Sequence, residues 1–123
     1  HVMQVCRNQD NFISIEGVEH VSQTLSNMEL FSLVAASQKR LLIDSCLQHA
    51  AAAMGMPSTV LWVGTSPKLF GYDMHNNIVA DDPQLQNLPD SYLFDYNFVG
   101  AIHECPYLTN DIFRIEEIIK SLN

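Results

Sequence analysis

The most regular pattern of hydrophobic and polar positions lies between Arg40 and Pro67. Leu41 to Ile43 form a short, continuous apolar run, which predicts a strand buried on both faces of a parallel sheet. Thr59 to Val63 form a second run, rich in β-branched and aromatic residues, which predicts another buried strand. Two buried strands with a short segment between them indicate an α/β architecture.

The segment between these two runs predicts a short helix that starts near Ser45. Ser45 is a favoured N-cap residue, and Gln48 follows at the spacing of a capping box. Ala50 to Ala53 are strong helix formers with small side chains. Gly55 is expected to end the helix, and Pro57 to prevent its continuation. Strand, helix and strand together predict a parallel βαβ unit.

Weaker patterns flank this unit. They predict strands at Val2 to Cys6, Phe12 to Ile15 and Ile78 to Ala80, with Val18 and Val21 flanking a polar connection. Ser26 and Glu29 have capping-box spacing, and a broad apolar face predicts that a helix from about Asn27 to Ser37 is buried against the sheet. The whole pattern predicts one α/β domain over 1–123, with a mostly parallel sheet of four or five strands and helices on both faces.

The later half of the chain is less regular. Lys68 to Asn77 and Asp81 to Asn97 are expected to be loops. Alternating aromatic residues from Tyr92 to Phe98 allow a short strand or a packed extended segment. A final helix is predicted from a stripe of apolar residues, with Asn110 or Asp111 as its cap; the stripe consists of Ile112, Phe113, Ile115, Ile118, Ile119 and Leu122.

Charge and composition narrow the class of protein. The chain has 123 residues, 47% of them hydrophobic, and 6 basic against 14 acidic residues, a formal net charge of −8. An acidic chain without a basic face argues against a nucleic-acid partner and against binding to an anionic membrane surface. No apolar run approaches the ~20 residues of a membrane span. Three widely spaced cysteines, Cys6, Cys46 and Cys105, argue against a disulfide framework and favour a cytoplasmic location. His1 at the start is interpreted as a tag remnant or as a cut within a longer protein, and the strand pattern that begins at once favours the cut.

Candidate chemistry gathers where the two buried strands end. In open α/β sheets, ligands bind outside the carboxyl ends of the strands. Asp44 to Cys46 and Gly64 to Ser66 follow such ends, and the helix that starts near Ser45 directs free amides and a positive dipole end to the same place. An anionic ligand is therefore expected there. The alternative is a well-capped helix that needs no ligand, with Gly64 and Thr65 in a plain turn.

Other polar residues are open to two interpretations. His49, in the first helical turn, can donate a hydrogen bond to a phosphate oxygen or be bonded locally. Cys46 and His49 lack a third orienting group, so cysteine-based catalysis is not expected. No carboxylate pair has metal-ligand spacing, and His103 with Cys105 is too small a set for zinc, so no metal is expected. Four more residues are near the ligand edge or merely solvated: Lys68, His75, Asn76 and Asn77.

The string IDSCLQHAAAAMGMPSTVLW resembles the signature of the heptosyltransferase-type glycosyltransferases, family nine of the sequence classification. That signature has Asp, Thr or Ser, usually Gly, two residues, His, a small-residue helix, Gly, one residue, Pro and a buried strand. It is matched by Asp44, Ser45, His49, Ala50 to Ala53, Gly55 and Pro57. Two further segments are similar to the family, LSNMELFSLVAAS upstream and ECPYLTNDIFRIEEIIKSL downstream.

The resemblance implies the GT-B architecture, in which two Rossmann-like halves enclose the active site. This chain would be the later part of the C-terminal half, a Rossmann-like three-layer domain that binds a nucleotide-diphosphate sugar. Asp44, Ser45 and Cys46 would lie against the diphosphate or sugar, with His49 beside them. Cys46 departs from the family, which usually has glycine there and so lets backbone approach phosphate closely.

The same resemblance implies a reaction that needs no cofactor. Sugar would pass to a glycan or lipopolysaccharide-type, lipid-linked acceptor held by a missing N-terminal half. That half usually supplies the catalytic base, so no catalytic residue is assigned in this chain, and the fragment alone would not turn over. Two alternatives remain open at this stage: a nucleotide-sugar epimerase that uses the same donor half, and a non-catalytic domain that keeps the fold for binding or assembly.

Overall fold

The computed structural model describes residues 1–6, 13–21, 25–63, 65–81 and 112–123. These residues group into two compact units, His1–Leu33 and Val34–Asn123. The α/β class with parallel strands is confirmed, because every described strand pair is parallel. The described strands form one sheet of two and one of three strands, where the sequence pattern predicted a single sheet of four or five.

The first unit contains a two-stranded sheet. Strand β1 (Val2–Val5) pairs in parallel with β2 (Val18–Val21). The strand predicted at the start of the chain is confirmed, but the connection predicted around Val18 and Val21 is wrong, since these residues bound β2. No strand forms over the described residues 13–15, and Phe12 lies outside the described part.

Helix α1 (Asn27–Ala36) begins with the predicted capping box. A Glu29 carboxylate oxygen lies 2.7 Å from the Ser26 backbone nitrogen, and the Glu29 amide donates to the Ser26 hydroxyl over 3.3 Å. The prediction that this helix is well buried is wrong for the described structure. Only Val34 is buried, and Met28 keeps 73% of its surface exposed. The apolar positions that suggested burial are spread around the helix and do not form one face.

The second unit is built on a three-stranded parallel sheet in the order β3 (Leu41–Ile43), β4 (Thr59–Trp62) and β5 (Asn76–Val79). The central strand supplies the core, because Val60 and Trp62 are fully buried. The prediction that β3 is buried on both faces is wrong: Leu41 is 48% and Ile43 64% exposed. Among the described strands, β3 is at an edge of the sheet and has one neighbour.

Helix α2 (Cys46–Ala53) connects β3 to β4 and ends as the sequence predicts. Gly55 has φ +68°, its amide donates to Ala52, and the Met56 amide donates to Ala51. These two bonds form a Schellman motif, which requires a left-handed residue at the position of Gly55. The capping box predicted at the other end is wrong. Ser45 is the N-cap, but its side chain makes no cap bond, and the Gln48 side chain is fully buried.

Two further short helices lie in the described part of the second unit. Residues predicted as a loop after Pro67 form α3 (Pro67–Phe70), where the Ser66 hydroxyl accepts a bond from the Lys68 amide. Helix α4 (Ile115–Leu122) has Arg114 as its N-cap, so the prediction of Asn110 or Asp111 as the cap is wrong. Asn110 and Asp111 themselves lie outside the described residues, and so does the segment from Tyr92 to Phe98. No described helix has the length and apolar character needed to cross a membrane.

Candidate functional site

The ends of β3 and β4 lie side by side. Ile43, the last residue of β3, pairs in register with Leu61, one residue before β4 ends. Because the two strands are parallel, the segments that follow them leave the sheet at the same edge. Asp44, Ser45 and Cys46 follow β3 at this edge, and Thr65 follows β4. Gly64, also predicted at the site, lies outside the described residues.

The N-terminus of α2 opens at this edge. Ser45 has extended backbone angles, φ −160° and ψ 177°, and its hydroxyl is not used to cap the helix. Cys46 is the first helical residue and is exposed, while Asp44 and Ser45 are half-buried. The first amides of a helix have no acceptor within it, and they carry the positive end of the helix dipole. The edge therefore presents amide donors and the Ser45 hydroxyl to a ligand.

Thr65 adds an unpaired hydroxyl on the β4 side. Its Oγ1 is shielded from solvent and has no hydrogen-bond partner among the described residues. Such buried hydroxyls are normally paired, so this oxygen has an unmet bond. Lys68, the nearest cation along the chain, is exposed on α3, and its amide is already bonded to Ser66.

His49 is bonded locally. Its Nδ1 lies 3.0 Å from the Tyr72 hydroxyl, and the two rings meet edge to face with centroids 5.6 Å apart. The Gln48 amide nitrogen, which can only donate, lies 3.1 Å from His49 Nε2. The same amide nitrogen lies 3.3 Å from Nδ1, so both ring nitrogens have polar neighbours within the protein. A phosphate would have to displace one of these partners to bond with His49, an arrangement that favours the local interpretation.

Gln48 and His75 connect α2 to the residues around β4 and β5. The fully buried Gln48 side chain donates to the carbonyl oxygen of Phe70 over 3.0 Å. His75, also buried, lies with Nε2 3.0 Å from the Gln48 carbonyl oxygen and Nδ1 3.2 Å from the Ser58 amide nitrogen. Both ring nitrogens of His75 therefore have partners inside the protein. His75 is neither at the ligand edge nor merely solvated, the two positions that the sequence left open.

Asn77 completes this internal network. Its Oδ1 accepts from the Trp62 indole over 2.8 Å, and its amide donates to the carbonyl oxygens of Tyr72 and His75. Sequence reasoning treated Asn77 as a loop residue and Gln48 as a cap. The indole N–H of a buried tryptophan usually has a hydrogen-bond partner. From that rule, the sequence could have predicted a polar side chain next to Trp62, although not that it would be Asn77.

The described residues contain no group of three or more histidine, cysteine or carboxylate side chains placed to hold a metal ion. His103 and Cys105 lie outside the described part of the chain.

Comparison of the chain with protein-family models, with curated protein sequences and with solved structures found no match. No known relative therefore indicates what binds at the edge formed by Asp44 to Cys46 and Thr65, and only the local geometry and the residues themselves bear on it.

Proposed function

We propose that this chain is the donor-binding part of a GT-B glycosyltransferase and holds a nucleotide-diphosphate sugar at the carboxyl edge of the three-stranded sheet. One observation carries the proposal: the β3–β4 register sets the α2 N-terminus beside the residues that follow β4. Helix N-termini at the carboxyl edge of parallel strands are favourable places for phosphate groups. The Rossmann-like three-layer arrangement of the donor-binding half belongs to the same proposal.

Different residues are expected to bind the diphosphate and the sugar, because the two parts of the donor differ in charge. The amides at Cys46 and the next residue, with the Ser45 hydroxyl, face the diphosphate and stabilise its charge as it leaves. The Asp44 carboxylate would repel a diphosphate at short range, so its partners are the hydroxyl groups of the sugar. Thr65 supplies one more hydroxyl from the β4 side. No metal is needed, because the helix end and the hydroxyl groups provide the stabilisation.

Cys46 limits how closely the diphosphate approaches. It is exposed at the first position of α2, and it carries a Cβ and a thiol where a glycine would have no side chain. A glycine there would let phosphate oxygens reach the amides directly. The donor of this protein is therefore bound with its diphosphate displaced outward from the helix end.

The proposal is tested by titration with UDP-, GDP- and ADP-sugars, followed through the backbone amide signals of Ser45, Cys46 and Thr65. The protein used is a longer one that includes an acceptor-binding half. Saturable shifts at these three amides are expected, and Ser45→Ala is expected to weaken binding about tenfold or more, the effect of one hydrogen bond to a charged group. Ser32→Ala is the matched control, since its exposed hydroxyl donates to the Met28 carbonyl in α1.

The outcomes separate three functions. Sugar transfer to an added acceptor supports the transferase function. Conversion of the donor to its epimer without an acceptor would instead support an epimerase. If no amide signal shifts at millimolar concentrations of the donor, the protein does not bind the donor. The remaining function is then that of a non-catalytic domain for binding other partners or for assembly. If Ser45→Ala and Ser32→Ala bind the donor equally well, the site lies elsewhere.

A further inference from the structure

A cavity of about 370 Å³ opens at the other end of the three-stranded sheet. Its wall includes Thr59 and Asn76, the first residues of β4 and β5, and Arg40, which precedes β3. This is the amino edge of the strands, whereas the donor site proposed above lies at their carboxyl edge. The cavity is within the size range of small-molecule sites in proteins.

The cavity has a charge unlike the rest of the chain. Lys39 and Arg40, two of the 6 basic residues, line it. No aspartate or glutamate among the described residues does, although the chain carries 14 acidic residues. A locally positive wall in a protein of net charge −8 attracts an anionic group to this position.

The two basic residues serve different purposes. The Arg40 guanidinium donates to the carbonyl oxygens of Val34 and Pro57, at 3.1 and 3.3 Å, and also to that of Ser37. Arg40 thus joins the C-terminal end of α1 to the residues before β4, and supplies charge to the wall while its position is fixed. Lys39 is exposed, and its ammonium makes one long bond of 3.3 Å to the backbone oxygen of Asn123. An ammonium has three donors, so two remain for a ligand.

Neutral polar groups surround these charges. Among the described residues, no atom pairs with the side-chain amides of Gln38 or Asn76, both in the wall. The Thr59 hydroxyl donates to the Ser121 hydroxyl over 2.8 Å, and Ser121 donates on to the Ile118 carbonyl, which leaves the Thr59 oxygen able to accept. A wall with two cations, two free amides and hydroxyl groups suits a ligand with both an anionic group and hydroxyl groups.

We infer that this cavity binds a small hydroxylated molecule that carries a phosphate or carboxylate group, at a site separate from the donor site. Lys39 binds the anionic group, and the Gln38 and Asn76 amides hydrogen-bond its hydroxyl groups. The inference does not depend on the proposed transferase function, because it uses none of the residues of the donor site.

The test is a titration of the whole chain with glucose 6-phosphate, gluconate, inorganic phosphate and glucose, followed by amide shifts at Lys39, Thr59 and Asn76. Glucose 6-phosphate or gluconate is expected to bind at least tenfold more tightly than glucose or inorganic phosphate, because only these two probes combine charge and hydroxyl groups. Their relative affinities show whether phosphate or carboxylate is preferred. Addition of a UDP-sugar is not expected to displace either one.

Lys39→Gln is expected to lower the affinity about tenfold, through loss of a charge-assisted hydrogen bond. Lys120→Gln removes the same charge from α4, outside the cavity wall, and should leave the affinity unchanged; Asn76→Ala should reduce it severalfold. The inference is overturned if neither charged sugar causes saturable shifts at these amides. It is also overturned if the two lysine variants lose equal affinity, or if inorganic phosphate binds as tightly as the sugars.

Discussion

The imidazole of His75 donates from Nε2 to the carbonyl oxygen of Gln48 over a distance of 3.0 Å. The Ser58 amide lies 3.2 Å from the other ring nitrogen and can only donate, so Nδ1 accepts and Nε2 carries the proton. One buried ring thus joins three parts of the second unit: the first turn of α2, the residue before β4, and its own position before β5.

This arrangement predicts that His75→Ala is strongly destabilising. The substitution leaves the buried Ser58 amide without a partner, and an unpaired buried group costs about 1–3 kcal/mol. It also removes one of the bonds to the Gln48 carbonyl oxygen, which keeps its place inside α2, and the packing of a buried ring. We expect a loss of about 2–5 kcal/mol in the free energy of unfolding, measured by urea denaturation. Trp62, the single tryptophan and fully buried, provides the fluorescence signal.

His75→Asn provides the matched comparison, since an asparagine side chain keeps an acceptor near the position of Nδ1. It should recover part of the lost stability. Equal, small losses for both variants would show that these bonds contribute little.

A second prediction concerns Gly55, where the chain leaves α2. Gly55→Ala places a Cβ in open space but forces alanine to φ +68°, so the cost is conformational and about 1 kcal/mol. Gly71→Ala differs in kind: its Cβ would stand 2.5 Å from the Pro67 carbonyl oxygen, and the backbone of α3 must shift. Gly55→Asn should recover stability, because asparagine tolerates the left-handed region. Urea denaturation measures all three, and an unchanged Gly55→Ala would contradict the Schellman ending.

The capping box at α1 gives a prediction about pH. Hydrogen bonds from the Ser26 hydroxyl and the Ser26 backbone amide lower the pKa of the Glu29 carboxyl. A carboxyl with a lowered pKa in the folded state stabilises the fold above its unfolded pKa, and that stabilisation is lost as the pH falls through the folded pKa. Ser26→Ala is therefore expected to raise the pKa of Glu29, as measured by carbon NMR of its carboxyl group. Ser32→Ala, whose hydroxyl bonds to Met28, should leave it unmoved.

The departure of Cys46 from glycine predicts the direction of one binding change. Cys46→Gly removes the side chain at the first position of α2, so the affinity for a nucleotide-sugar donor is expected to rise about tenfold, the gain of one bond to a charged group. Cys46→Met, which adds bulk at the same exposed position, should lower it. Calorimetric titration of the longer protein measures both. A weaker affinity in Cys46→Gly would contradict any contact between the diphosphate and the amides at the start of α2.

How far the sequence predicts this structure depends on the range of the interactions involved. The α2 ending at Gly55 and the Ser26–Glu29 box were predicted correctly, because each is set by residues a few positions apart. The exposure of Ile43 was missed, since an apolar run predicts a strand but not its place in the sheet. Gln48 had the spacing of a cap, but tertiary packing drew its side chain into the interior.

The candidate site shows the same limit. The positions of Asp44 to Cys46 beside the residues after β4 follow from the βαβ pattern and were predicted. The bond between His49 and Tyr72 joins side chains that sequence spacing does not relate, so it appeared only in the structure. The donor itself stays a prediction.

The pairing of the three-stranded sheet bears on how it folds. Leu41 pairs with Thr59, and Thr59 pairs with Asn76, so each strand joins the strand that precedes it in the chain. The loops closed by these pairings are short and similar in length, and the entropy lost in closing a loop grows with its length. Short-range pairing of this kind is associated with fast folding. The sheet can therefore grow one strand at a time, in the order in which a ribosome releases the chain.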